Sequence, residues 1–140
     1  MRSIYIIFAA LLLLSGCSPH SSKEFQKEGE RLCLDLIEIL QEVESREQLL
    51  SQEKRLQQKF SNLVALIIEA RSWQEEHLDA EEWEHGEIFN RASNLLQQEL
   101  SRIYEFEGGR EIMERAEQEA LVKLDAYERK RLKCLERIRK

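Results

Sequence analysis

SSKEFQKEGERLCLDLIEILQEV, residues 21–43, is the stretch whose reading decides the fold. Phe25, Leu32, Leu36, Ile39, Leu40 and Val43 recur at three- and four-residue steps or their multiples. At 100° per residue those positions fall on one side of an α-helix, with charged residues filling the other side. Ser21 followed by Glu24 is a capping-box pattern, because the hydroxyl accepts a bond from a backbone N–H left open at the helix start. The stretch therefore reads as an amphipathic helix that needs a partner along its apolar stripe.

The same pattern continues outward. Ser45 with Gln48 repeats the capping signal where the first stripe fades, which places a turn near residue 45. Nothing else interrupts the chain there, so one long helix over 22–76 is the alternative. Leu49, Leu56, Phe60, Leu63, Val64, Ile67 and Ile68 mark the next apolar stripe. Asp79 with Glu82 opens a third helix carrying Phe89, Ala92, Leu96, Leu100, Ile103 and Phe106. Gly108-Gly109 closes it, since glycine tolerates the left-handed conformation that follows a helix. Met113, Ala116, Ala120, Leu124, Tyr127, Leu135 and Ile138 form the last stripe. Pro19 is the single proline, and no strand-like alternation competes. The expectation is an all-α, antiparallel bundle of about four helices.

One segment departs from the period. Leu63 to Ile68 (LVALII) is six apolar residues in a row, which point in every direction around a helix. Either this turn is the centre of the bundle, or Leu63, Val64, Leu66, Ile67 and Ile68 offer a surface to a partner chain. Trp73 and Trp83 flank the following loop and read as plugs at the bundle end.

Charge narrows the function classes. The formal net charge is −6, which argues against generic nucleic-acid binding. The basic residues are unevenly spread: Arg129, Lys130, Arg131, Lys133, Arg137, Arg139 and Lys140 crowd the end of the chain against Glu136 alone. Such a cluster complements the negative end of a terminal helix. It also suits an anionic lipid surface or another anionic polymer.

The first residues have the form of an export signal. Arg2 precedes an uncharged apolar run from Ile4 to Leu14, too short to span a bilayer stably, and small residues then lead to Cys17. Leu14-Ser15-Gly16-Cys17 resembles the lipobox of bacterial lipoproteins. The resemblance implies cleavage after Gly16, diacylglycerol on Cys17, acylation (palmitate or a similar chain) of the new amino terminus, and a protein anchored in the membrane through its lipid. Ser18 after the cysteine, in place of the Asp that favours inner-membrane retention in that family, implies the outer membrane, facing the periplasm. On this reading residues 1–16 are the signal peptide, 17–22 the lipidated cysteine and tether, and 23–140 the bundle. The tether, at about 3.5 Å per residue, reaches less than about 20 Å.

Two cysteines remain, Cys33 and Cys134. In an up-down-up-down bundle with the first and last helices adjacent, they sit at similar heights, and an exported chain can keep a disulfide. A bridge there is one expectation; free thiols or an intermolecular link are the others. His77, Asp79, Glu82 and His85 resemble metal ligands in type. A two-metal bundle needs a second Glu-x-x-His pair, however, so the cluster reads as a solvated acidic loop with no metal and no cofactor. No GxSxG, HExxH, GxGxxG or P-loop pattern occurs, so the chain reads as a non-enzyme without a small-molecule substrate. Small lipoproteins of the murein-lipoprotein type also end in Arg-Lys, a similarity that would carry covalent attachment to peptidoglycan onto Lys140. This chain departs from them in its greater length and in its break at Gly108-Gly109. The sequence thus leads to a membrane-anchored structural or protein-interaction module that meets an envelope protein or a second copy of itself. The alternative is an envelope linker or polymer binder using Arg129 to Lys140.

Overall fold

The computed structural model describes residues 21–77 and 87–138. These form four α-helices and, among the described residues, no strand: α1 Ser22–Gln41, α2 Arg46–Glu76, α3 Glu87–Tyr104 and α4 Gly109–Ile138. The expected four-helix, all-α bundle is what the chain adopts. Asp79, Glu82 and Trp83, and with them the expected start of the third helix, lie outside the described residues, as does the lipobox.

Local chemistry sets the helix ends. The Ser21 hydroxyl accepts a bond from the Glu24 backbone N–H at 3.3 Å. At the second start the Ser45 hydroxyl accepts from the Gln48 N–H at 3.3 Å, while the Gln48 side-chain oxygen accepts from the Glu44 N–H at 2.6 Å. These reciprocal bonds satisfy donors that a helix start leaves open. They split residues 22–76 into two helices. At the other joint Gly108 takes φ 73°, the left-handed region. A Cβ on Gly109 would lie 2.1 Å from the Ile103 carbonyl oxygen, so the turn tolerates no side chain there.

α2 is the central helix. On one side Lys59 pairs with Asp35, Leu66 lies against Gly29, and Trp73 tilts against Phe25 at 5.9 Å between ring centroids. Later residues of α2 thus meet earlier residues of α1, so the two run antiparallel. On another side Glu53 meets Arg115, Arg71 meets Glu128, and Glu75 meets Arg131. Here both numbers rise together, so α2 and α4 run parallel. α3 lies along α1 with its last turn at the α1 C-terminus, where the Arg102 guanidinium donates to the Leu40 and Val43 carbonyls at 2.6 and 2.7 Å. The order across the bundle is therefore α3, α1, α2, α4, with α3 and α4 touching only sparingly.

The core gathers at the end that holds the two tight joints. Leu36, Leu40, Leu49, Leu56, Ile103 and Met113 have no solvent exposure, and Ile39, Val43, Ile112 and Ala116 complete the cluster. Phe60, Leu63, Leu96, Leu100 and Phe106 pack around it. Each fully buried Leu or Ile contributes about 1.5–3 kcal/mol by leaving water, so this end is the stable half of the molecule.

The neighbour order corrects one expectation and bears on another. No Cα of α1 comes within 8 Å of one in α4, and Cys33 and Cys134 are both free. The bridge required first and last helices side by side; α2 stands between them instead. The LVALII turn is half enclosed by the same order. Val64 is buried, and Leu63, Leu66, Ile67 and Ile68 are partly buried. A helix flanked on two sides can cover a wide apolar arc, and α2 is so flanked.

Candidate functional site

The residues singled out by sequence chemistry converge on the end opposite the core. Trp73 holds the start of α1 through Phe25, and Glu75 holds α4 through Arg131. The N-terminus of α1 and the C-terminal part of α4 therefore emerge from the same end of the bundle. Four residues of sequence separate Ser22 from Cys17.

α4 is fixed in this position by polar contacts along α2. Arg115 donates twice to the Glu53 carboxylate, at 3.0 and 2.9 Å, and this bond holds the Glu53 carboxyl below its ordinary value. Farther along, the Ser72 and Tyr127 hydroxyls lie 3.3 Å apart, and the Arg71–Glu128 pair adds a further tie. Arg131 closes the series by reaching Glu75 and Glu128. Individually such partly exposed pairs contribute little. The buried Ile112, Met113, Ala116 and Ala120 turn one face of α4 inward, and the pairs accompany them.

α4 then outruns its neighbour. Arg131 meets Glu75, one residue short of the last helical residue of α2, so residues 132–138 project about 10 Å farther. Leu132 and Leu135 on this projection are 57% and 53% exposed. Sequence periodicity put Leu135 on the packing stripe. The helix has no neighbour at that height among the described residues. Lys133 and Arg137 are also exposed there, as are Arg129 and Lys130 just before it, while Arg131 is partly buried in its ion pairs. Arg129, Lys133 and Arg137, four apart, line one side of the helix, and Leu132 and Leu135 share another. Arg139 and Lys140 lie outside the described residues. Leu121 and Val122, also exposed, add apolar surface midway along α4 that periodicity did not single out.

The remaining candidates separate. Cys33 is buried in α1, and burial, with Glu30 nearby, pushes its thiol above the usual value. Cys134 is exposed on the α4 projection. His77 stacks on Trp73 at 4.5 Å, with its Nδ1 2.8 Å from the Trp73 carbonyl oxygen, so it closes the end of α2. Its expected companions Asp79, Glu82 and His85 are outside the described residues. Glu117 is the one carboxyl among the described residues pushed upward, by burial and then by Glu114. Among the described residues no helix is long and apolar enough to cross a membrane. Comparison with protein-family models, curated proteins and solved structures finds no match, so function is argued from the residues of this chain alone.

Proposed function

We propose that the chain is a lipid-anchored protein of the bacterial envelope, most simply of the outer membrane facing the periplasm, whose helical bundle serves as a structural or protein-interaction module. The observation that carries the reading is Leu14-Ser15-Gly16-Cys17 behind a charged-then-apolar leader. An apolar run of that length serves export better than it serves as a permanent span. Three acyl chains on one residue would exceed the two signals that stable anchoring requires. The role is non-enzymatic: the partner, another envelope protein or a second copy, meets exposed side chains of the bundle. The exposed apolar residues Leu121 and Val122 on α4 support that part of the reading.

Intact mass of protein extracted from muramidase-treated membranes tests it. The expected mass is that of a chain beginning at Cys17, carrying three acyl groups, with Lys140 unmodified. An unacylated Cys17 overturns the anchor. A muropeptide on Lys140 replaces the interaction module with a wall linker.

A further inference from the structure

The geometry points to a second membrane contact: the projecting end of α4 docks on the anionic headgroups of the bilayer that holds the Cys17 lipid. The inference rests on the lipid-anchor reading and adds an orientation to it.

Three lengths carry the argument. The five Cα-to-Cα steps from Cys17 to Ser22 span at most about 18 Å, so the start of α1 cannot stand farther than that from the lipid. The α4 projection begins at the same end of the bundle, as Phe25–Trp73 and Glu75–Arg131 show, and covers about 10 Å of the distance. The remainder is about the Debye length at physiological salt, roughly 8 Å. At full extension of the tether the tip of α4, with Arg137, is thus held within electrostatic reach of the surface, and any shorter extension brings Lys133 within it as well.

Charge then selects the occupant. The whole chain is net −6, so an anionic surface repels most of the bundle. Lys133 and Arg137 on the projection are the exception, with Lys130 and Arg129 on the turn below it, where Arg129 lies 3.9 Å from the Asp125 carboxylate. Lys23 and Lys27 at the start of α1 add to them; Glu24, Glu76 and Glu136 oppose. Beside the basic side, Leu132 and Leu135 offer apolar surface of the kind that sinks into the headgroup boundary next to bound lysine and arginine. A single attachment point sets the position of the bundle but not its orientation. Anchor and α4 together fix its attitude, with the tight joints and the core farthest from the membrane.

Cys134 provides the probe, as an exposed thiol within the projection. The acylated protein, its mass verified, carries a nitroxide on Cys134 and is reconstituted into vesicles of phosphatidylcholine alone or mixed with phosphatidylglycerol. Collision with oxygen and with a water-soluble nickel chelate is read by electron paramagnetic resonance. The expected result is shielding from nickel and exposure to oxygen in the anionic vesicles, reversed by high salt. Replacing Lys130, Lys133 and Arg137 by Gln should lower the docked-to-free ratio on the order of a hundredfold, since each basic residue near such a surface contributes roughly fivefold. Equal nickel access in both vesicle types overturns the proposal and leaves the anchor standing. So does equal shielding in both, the result of cover by protein rather than by lipid. An unacylated Cys17 overturns the anchor reading and this proposal with it.

Discussion

Replacing Arg102 by Met should detach α3 from the end of α1 while keeping most of the side-chain bulk. The Arg102 guanidinium donates to the Leu40 and Val43 carbonyls, and its Nε donates to Glu99. These carbonyls belong to the last turn of α1 and the joint after it, where a helix leaves acceptors without partners and gathers negative charge. A hydrogen bond from a charged donor contributes about 1.5–3 kcal/mol. The two here lie at the lower end of that range. The side chain is 36% exposed, and the Leu40 carbonyl also accepts from the Val43 N–H at 3.1 Å, so it is not orphaned. The expected loss is therefore about 2–3 kcal/mol. With a urea slope of about 1.5 kcal/mol/M, the unfolding midpoint should fall by roughly 1.3–2 M at unchanged slope. Lys at the same position offers a charge without the planar fork and should recover about half of the loss. Urea titrations followed by circular dichroism on parent, R102M and R102K decide the matter. A Met variant within about 0.5 kcal/mol of the parent, the range of ordinary surface changes, would show that water serves those carbonyls equally well and that apolar packing alone holds α3.

Other substitutions probe the remaining joints. Leu56→Ala removes a side chain with no exposure at the α2 side of the core and should cost about 3–4 kcal/mol in the same titration. Lys59 foremost, aided by Arg31, holds the Asp35 carboxyl below its ordinary value, as Arg115 does for Glu53. A carboxyl lowered in the folded state stabilises above its unfolded pKa of about 4, and that stability is lost as pH falls through the folded value. Thermal melts should therefore be level above about pH 5 and decline below it, and Asp35→Asn should flatten part of the decline; an unchanged acid slope would deny the Asp35 pair that role. Of the two cysteines in the described helices, Cys134 should react with a thiol reagent at once and Cys33 only on unfolding, with no mass change on reduction. Two fast thiols, or a two-proton mass change, would contradict the helix order.

Much of this was legible in the sequence because helix faces are written in single residues. Every position in the first stripe, Phe25 to Val43, is buried, and both Ser caps make the bonds their spacing calls for. Gly108 sits where a left-handed residue is required. What periodicity leaves out is which helix meets a given face. Both a sequential order and the observed α3–α1–α2–α4 order bury the same stripes, so the Cys33–Cys134 distance was not readable from spacing. LVALII shows the same gap. A continuous apolar run announces broad coverage but not whether the cover comes from two neighbours in this chain or from another molecule. Leu135 was misplaced for a third reason, the axial offset between α2 and α4. That offset is set by side-chain pairs such as Glu53–Arg115 and Glu75–Arg131, far apart in sequence. The projecting basic and apolar residues of α4 follow from it, and composition alone recorded only their charge.

The common exit of the tether and the α4 projection underlies the orientation argued above. A distance between spin labels at Cys134 and at a cysteine introduced by Ser22→Cys, read by pulsed electron resonance on the acylated protein, tests it most directly. Neighbouring helix axes lie about 8–10 Å apart, and two such steps separate α1 from α4, so the account predicts a distance of about 20–30 Å. A distance of about 45 Å or more, the length of a 30-residue helix such as α4, would place the two at opposite ends and contradict it.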